Sequence, residues 1–356
     1  MQQRLDKLRE ALANVGADAL ITEKAENRFY FSGFTGSTGW VVVTEKEAFL
    51  VTDFRYVEQA GEQAPHFTVV NNERKAVEAI AKLLKEKGVK RLAFESSVSF
   101  HTHQEWSKAF DGVELVATNG LLEKIRMFKD ESEMVIIREA VRIAEAGFAH
   151  IQSYIRPGVR EEDVALELEF FMRKQGASGS AFDMIVASGP RGALPHGRAS
   201  EKIIQAGEMV TLDFGAAYKG YNSDITRTLS VGEPSAKMKE IYDIVLRAQL
   251  AGVEALKPGV TGKEADAATR DIIAAAGYGD CYGHSAGHGL GIEVHELPSL
   301  STVSTFVLEP GMLVTMEPGI YVSGLGGVRI EDDVLITADG HEVLNKSTKE
   351  LIILPV

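Results

Sequence analysis

Apolar and polar positions alternate in short, regular blocks from the first residues onward. Leu5, Leu8, Leu12 and Val15 step by three, four and three, the spacing of one helix face. DALIT then reads as a short strand, and WVVVT and AFLVTD as the two arms of a hairpin across Glu45–Glu47. The pattern goes on to predict a helix near 54–64, a strand at FTVV and a helix at AVEAIAKLLKEKG. A strand at RLAFE, a helix near 100–110 and a strand at VELVAT follow. Strands and helices taken in turn predict an α/β layer, a mixed sheet with helices over it.

The pattern changes near residues 120–130, where KIRMFKDESE is charged and Asp130 with Glu133 has capping-box spacing. This places a domain boundary between an N-terminal part, 1–122, and a C-terminal part, 123–356. The second part opens with a long amphipathic helix expected to run to about Ile155 and to stop at Pro157-Gly158. Further helices are predicted near 160–175, 235–256 and 261–276, with strand pairs between them.

This second part repeats itself. IRPGVREEDVA from Ile155 and LKPGVTGKEAD from Leu256 share a helix end, a Pro-Gly stop and a new capped helix. EMVTLDFG ending at Gly215 resembles MLVTMEPG ending at Gly319. The offsets, 101 and 104 residues, nearly agree. They predict two half-domains that face each other and share one site.

Composition narrows the function classes. A chain of 356 residues exceeds the usual single domain, and 45% apolar with 25% charged residues excludes disorder, collagen and coiled coil as the main state. A net charge of −13 leaves no basic stripe for phosphates, which argues against a nucleic-acid partner and against anionic membranes. The lone Cys281 excludes an intrachain disulfide and fits a reducing, cytoplasmic compartment. No apolar run approaches the ~20 residues of a membrane span. The charged start MQQRLDKLREAL predicts an amphipathic helix and not a signal peptide.

Carboxylates stand where strands rarely carry them. Asp213 ends the apolar run MVTLD, and its duplicate in MLVTME is Glu317; each is followed, one residue on, by Gly. The first hairpin returns through YKGYNS with Asp224, the second through SGLGG with Glu331. Neighbouring strands lie ~4.8 Å apart, so acids on adjacent arms can converge. Such acids are either exposed hairpin ends or a cluster that needs cations to offset its repulsion, and the matched duplication favours the cluster. His284, His288 and His295 fall within twelve residues, among glycines that allow close backbone approach. HSAGHGLG is too rich in glycine for a helix, and GIEVHE reads as a strand. Oxygen ligands with imidazole and no thiolate favour Mn²⁺, Co²⁺ or Zn²⁺, and paired ions of that kind suit hydrolysis.

The combined motifs resemble the pita-bread metallopeptidases, proline dipeptidase (prolidase) and aminopeptidase P. The resemblance spans the chain and rests on LPHG at Leu194–Gly197, VTLDFGAAYKGYNSDITRT, HSAGHGLGIEVHE, MEPGIY and GVRIEDD. It implies an α/β (α+β) protein with a creatinase-like N-terminal domain and a pita-bread catalytic domain. It implies that Asp213, Asp224, His288, Glu317 and Glu331 bind two divalent ions, with Asp224 and Glu331 bridging them. Mn²⁺ comes first among the ions, then Co²⁺ or Zn²⁺. It further implies that His196 and His295 steady the reacting carbonyl, that Glu317 moves the proton, and that His284, Tyr321 and Arg329 bind substrate. Arg329 can also act as a support for Glu331. The implied reaction is hydrolysis of an Xaa-Pro bond by a hydroxide that bridges the ions, acting on a proline-containing di- or oligopeptide, in a homodimer. In relatives, junctions such as TDFRY at Thr52–Tyr56 can reach a partner subunit's site, which makes Arg55 and Tyr56 candidate dimer contacts. The motifs leave dipeptidase and aminopeptidase open, with the dipeptidase preferred. The full ligand set argues against creatinase and against an inactive binding protein, and the N-terminal domain against a methionine aminopeptidase.

Overall fold

Residues 1–356 are all described by the computed structural model. The chain divides into two units, Met1–Arg126 and Met127–Val356. The first unit runs α1 (Gln2–Asn14), β1 (Ala19–Thr22), α2 (Ala25–Ser32), β2 (Trp40–Thr44), β3 (Ala48–Thr52), α3 (Val57–Gln63) and β4 (Thr68–Asn71). It continues with α4 (Ala76–Glu86), β5 (Arg91–Glu95), α5 (Phe100–Ala109), β6 (Glu114–Thr118) and α6 (Leu121–Arg126). Its six strands form one mixed sheet in the order β4-β3-β2-β1-β5-β6. Ile21, Val42, Val51 and Phe94 from the strands bury against Ile80, Leu84 and Trp106 from the helices.

One helix of this unit mixes polar and apolar residues on its buried face. The inward face of α2 buries Asn27 and Arg28 beside Tyr30 and Phe31. The Arg28 guanidinium donates to the carbonyls of Glu23, Gly36 and Gly39, so backbone acceptors hold it inside. At the junction after β3, both oxygens of Asp53 accept from Arg55, at 2.8 and 2.7 Å, and the Tyr56 hydroxyl lies 2.7 Å from Ser37 Oγ.

The second unit opens with α7 (Glu131–Ile151), whose capping box is closed by Asp130 and Glu133 as the sequence predicts. The helix ends at Ile151 and not near Ile155, because the Ile151 carbonyl is taken by the N–H groups of Tyr154 and Ile155 in a closing turn ahead of Pro157. Then come α8 (Glu161–Lys174), β7 (Gly179–Ser180), β8 (Ile185–Ser188), β9 (Met209–Phe214), β10 (Ala216–Tyr218), β11 (Tyr221–Asn222) and β12 (Ile225–Val231). The second half repeats the order, with α9 (Ala236–Ala255), α10 (Gly262–Ala275), β13 (Gly287–Gly289), β14 (Glu296–Leu300), β15 (Leu313–Met316), β16 (Gly319–Val322), β17 (Gly326–Arg329) and β18 (Asp332–Thr337). β19 (Gly340–Val343) and β20 (Ile353–Leu354) close the chain.

Each half builds antiparallel strand pairs, β12-β9-β8 in the first and β14-β13-β15-β18-β19 in the second, and β20 from the chain's end joins the first sheet parallel to β12. The central pair is β9 with β12 in one and β15 with β18 in the other. A single bridge, Thr226 to Glu331, links them. GIEVHE is not a strand: residues 291–295 bend, and β14 begins only at Glu296. The Glu296 carboxylate folds back to accept the Glu293 N–H at 3.0 Å, which satisfies the turn and holds the segment out of the ladder.

Candidate metal centre

The acids singled out in the sequence come from four strand ends. Asp213 is the fifth residue of β9, a strand buried along its whole length. Asp224 precedes β12, Glu317 follows β15, and Glu331 sits between β17 and β18. His288 is the middle residue of β13, which is squeezed between β14 and β15. A Cβ on Gly287 would lie 2.0 Å from the Thr315 carbonyl oxygen, so the glycines around His288 are required by strand contact.

Asp224, His288 and Glu331 each offer a ligand atom, and all three atoms lie within 4.8 Å of one another. His288 Nε2 is 3.8 Å from Asp224 Oδ2 and 3.3 Å from Glu317 Oε1. Asp213 stands beside this group, its Oδ2 2.5 Å from Arg329 Nη2. Thr226 Oγ1 donates to Glu331 Oε2 at 2.6 Å. Thr315 Oγ1 accepts the His288 N–H and donates to Glu317 Oε1.

The electrostatics ask for cations. Burial, and then the charges of Glu331 and Asp213, push Asp224 well above the usual carboxylate range. Burial, then Glu317 and Asp213, do the same to Glu331. Burial also raises Asp213, against the pull of Arg329. At Glu317 burial acts in the same sense, but the hydrogen bond and charge of His288 outweigh it and hold the group at about 2. Asp224 Oδ1 is buried with no hydrogen-bond partner, and so is Asp333 Oδ1. An orphaned carboxylate oxygen among mutually repelling acids fits divalent cations with oxygen and imidazole ligands.

These groups form the floor of a cleft of about 640 Å³, lined also by His196, His284, His295, Phe182, Ile185 and Arg329. His196 and His295 are exposed to it. The His295 ring meets that of His288 edge to face at 4.4 Å between centroids. His284 Nδ1 lies 2.8 Å from the Ser285 carbonyl and Nε2 lies 2.8 Å from the Tyr321 hydroxyl. The carbonyl requires a proton on Nδ1, so Nε2 accepts from Tyr321, and Tyr321 in turn accepts from Arg329 Nη1 at 2.8 Å. Burial pushes the Tyr321 hydroxyl up to about 12. Arg329 is otherwise occupied: Nε donates to Thr226 Oγ1, Nη1 to the Pro195 carbonyl and Nη2 to Asp213.

Two acids given no role from the sequence complete the floor. Asp333 Oδ2 accepts the backbone N–H of Asp224 at 3.0 Å, tying one half to the other. Asp332 accepts from Arg227 at 2.7 Å, Gln249 at 2.8 Å and Lys349 at 2.6 Å, all beneath the site. The signal was the run of three acids, Glu331–Asp333, leading into an apolar strand. No helix is long and apolar enough to cross a membrane.

Comparison with known proteins matches Metallopeptidase family M24 over residues 135–338 and the Creatinase/Prolidase N-terminal domain over residues 4–128. A solved structure, "Xaa-Pro dipeptidase from Bacillus anthracis", is similar at 54% identity and TM-score 0.97, covering 99% of each chain. The Xaa-Pro dipeptidase of Pyrococcus horikoshii is 41% identical, over 99% of this chain and 99% of its own. The crystal structure of X-Pro aminopeptidase from Thermotoga maritima is 39% identical, with TM-score 0.91, covering 97% of this chain and 99% of its own.

Proposed function

The chain belongs to Metallopeptidase family M24 and is a metallo-exopeptidase, and on that premise we propose that it is an Xaa-Pro dipeptidase with two divalent ions. The observation that carries this reading is the convergence of Asp224, His288 and Glu331 at the cleft floor, with one Asp224 oxygen unpartnered. Asp213, Asp224, His288, Glu317 and Glu331 would hold the ions, Mn²⁺ first, then Co²⁺ or Zn²⁺. Such ions, when bound, lower the pKa of water towards neutrality and polarise the scissile carbonyl.

The remaining roles fall to the chain's own side chains. Glu317 takes the proton of the attacking water and returns it to the prolyl nitrogen as the bond breaks. His196 and His295, on the open side of the cleft, donate to the carbonyl oxygen as it gains charge. The bond to proline has no N–H, so a cleft that offers no acceptor there loses nothing with this substrate. Arg329 is assigned to holding Asp213 and Tyr321, since four of its contacts are already made. His284 and Tyr321 then shape the wall. That occupation, with the Thermotoga maritima likeness, supports a second reading, an Xaa-Pro aminopeptidase, because no deep cation is left for a substrate carboxylate. A cytoplasmic homodimer completes the proposal.

The test is metal content beside turnover. Asp224→Ala is expected to lose activity and at least one bound ion per chain. His196→Ala is expected to keep its ions and lose ~10²–10³ in rate. An Asp224→Ala enzyme with full activity and two ions would refute the ligand assignment.

A further inference from the structure

We propose that Arg198 binds the free carboxylate of the prolyl residue and so selects dipeptides; this rests on the Xaa-Pro reading above. Two guanidinium groups line the cleft, those of Arg198 and Arg329. Arg329 is spent on Asp213, Tyr321, Thr226 and the Pro195 carbonyl, and turning it to substrate would leave Asp213 unpaired. Arg198 differs in every respect. Its side chain is 73% exposed, and its ion-pair partner is Asp183, 2.9 Å away and itself 70% exposed on the same cleft. An ion pair so open to water contributes little, so a substrate carboxylate can replace Asp183 at small cost.

The head is exposed but the backbone beneath it is fixed. The Arg198 N–H donates to the His196 carbonyl at 2.8 Å, and Arg198 bridges to Ile185 of β8. Its own carbonyl accepts from Arg191 Nη2 at 2.7 Å. Arg191 is held by Glu161, a fully buried carboxylate at the start of α8. Glu161 also accepts from the Ser188 N–H at 2.7 Å, Ser188 Oγ at 2.8 Å and Ser200 Oγ at 2.7 Å. One acid thus anchors both ends of the segment that carries His196 and Arg198.

The surroundings fit a prolyl residue. Phe182, Ile185 and Pro195 line the same cleft as Arg198 and offer apolar surface to a pyrrolidine ring. A guanidinium matches a carboxylate with two parallel N–H donors. A carboxylate one residue further on, as in a tripeptide, would miss it.

The experiment compares Ala-Pro with its uncharged analogue Ala-Pro amide, using the full chain loaded with Mn²⁺. The wild-type enzyme is expected to prefer Ala-Pro. Arg198→Ala should raise KM for Ala-Pro by roughly tenfold or more with kcat little changed, and leave the amide as it was. Arg198→Lys should recover part of the loss. Asp183→Asn, which removes the competing carboxylate, should lower KM for Ala-Pro alone. An Arg198→Ala enzyme unchanged towards Ala-Pro, or impaired equally on both substrates, would overturn the assignment. A wild-type enzyme that cleaves neither substrate would instead overturn the peptidase reading.

Discussion

Asp53 shows how far a single side chain can be read for its chemistry. Both its oxygens are bound by Arg55, and that hydrogen bond, ahead of the opposing effect of burial, holds the carboxyl at about 2. A carboxylate that is more acidic folded than unfolded stabilises the fold above its unfolded pKa of ~3.9. That stabilisation disappears as pH falls from about 4 towards 2. Asp53→Asn should therefore unfold at lower urea than the wild type at pH 5 to 7. The gap between their midpoints should close on acidification through that window, and a gap constant down to pH 2 would contradict the account. Residue identity also revealed the acids at Asp213, Asp224, Glu317 and Glu331, since carboxylates closing apolar strands have few structural uses. What it could not reveal was which cation is available. Arg329 and Arg198 look alike in sequence, and only their contacts separate a buried support from an exposed, loosely paired head.

At the scale of elements, periodicity served where apolar side chains define a face and failed where polar groups are buried. The hairpin of β2 and β3 and helices α4, α8, α9 and α10 lie within a few residues of expectation. Helix α2 was invisible because its buried face carries Asn27 and Arg28 beside Tyr30 and Phe31, with Arg28 satisfied by nearby loop carbonyls and Asn27 by the side chains of Glu95 and Arg126, which are distant in sequence. GIEVHE looked like a strand because it alternates, but the Glu296 side chain supplies the hydrogen bond that a ladder would otherwise provide. The glycine after each strand-end acid has a steric cause in the first half: a Cβ on Gly215 would lie 1.8 Å from the Ser223 carbonyl oxygen. Gly215→Ala must push Ser223 and Asp224 away from β9. It should lower stability by about 1–3 kcal/mol and reduce the bound metal, read by thermal melting and metal analysis. Gly61→Ala, in α3 with nothing within 4 Å of the new methyl, should leave the melting temperature unchanged or slightly raised.

For the molecule as a whole, the internal repeat was the most informative feature of the sequence. It predicted two halves with the same order, and each half has a helix pair followed by antiparallel strands. The repeat also explains why no short motif identifies the centre: Asp213 and Asp224 belong to one half, and His288, Glu317 and Glu331 to the other. Its hidden counterpart is the layer below, where Asp332 and Asp333 tie Arg227, Gln249, Lys349 and the Asp224 N–H together. Those pairings join residues 17 to 109 positions apart, and nothing in local pattern announces them.

The bridge between the two sheets sets an order of events in time. Thr226 and Glu331 meet across 105 residues, and the Asp224–Asp333 bond closes over 109. Contacts of such long range pay their loop-closure entropy late, after each half has formed its own strands. The cluster of acids is therefore expected to form on the native side of the folding barrier. A divalent ion should slow unfolding in denaturant while leaving the refolding rate as it is with chelator present. Stopped-flow traces with Mn²⁺ and with chelator decide it: an ion that speeds refolding would mean that the two halves meet at the centre first and build outward from it.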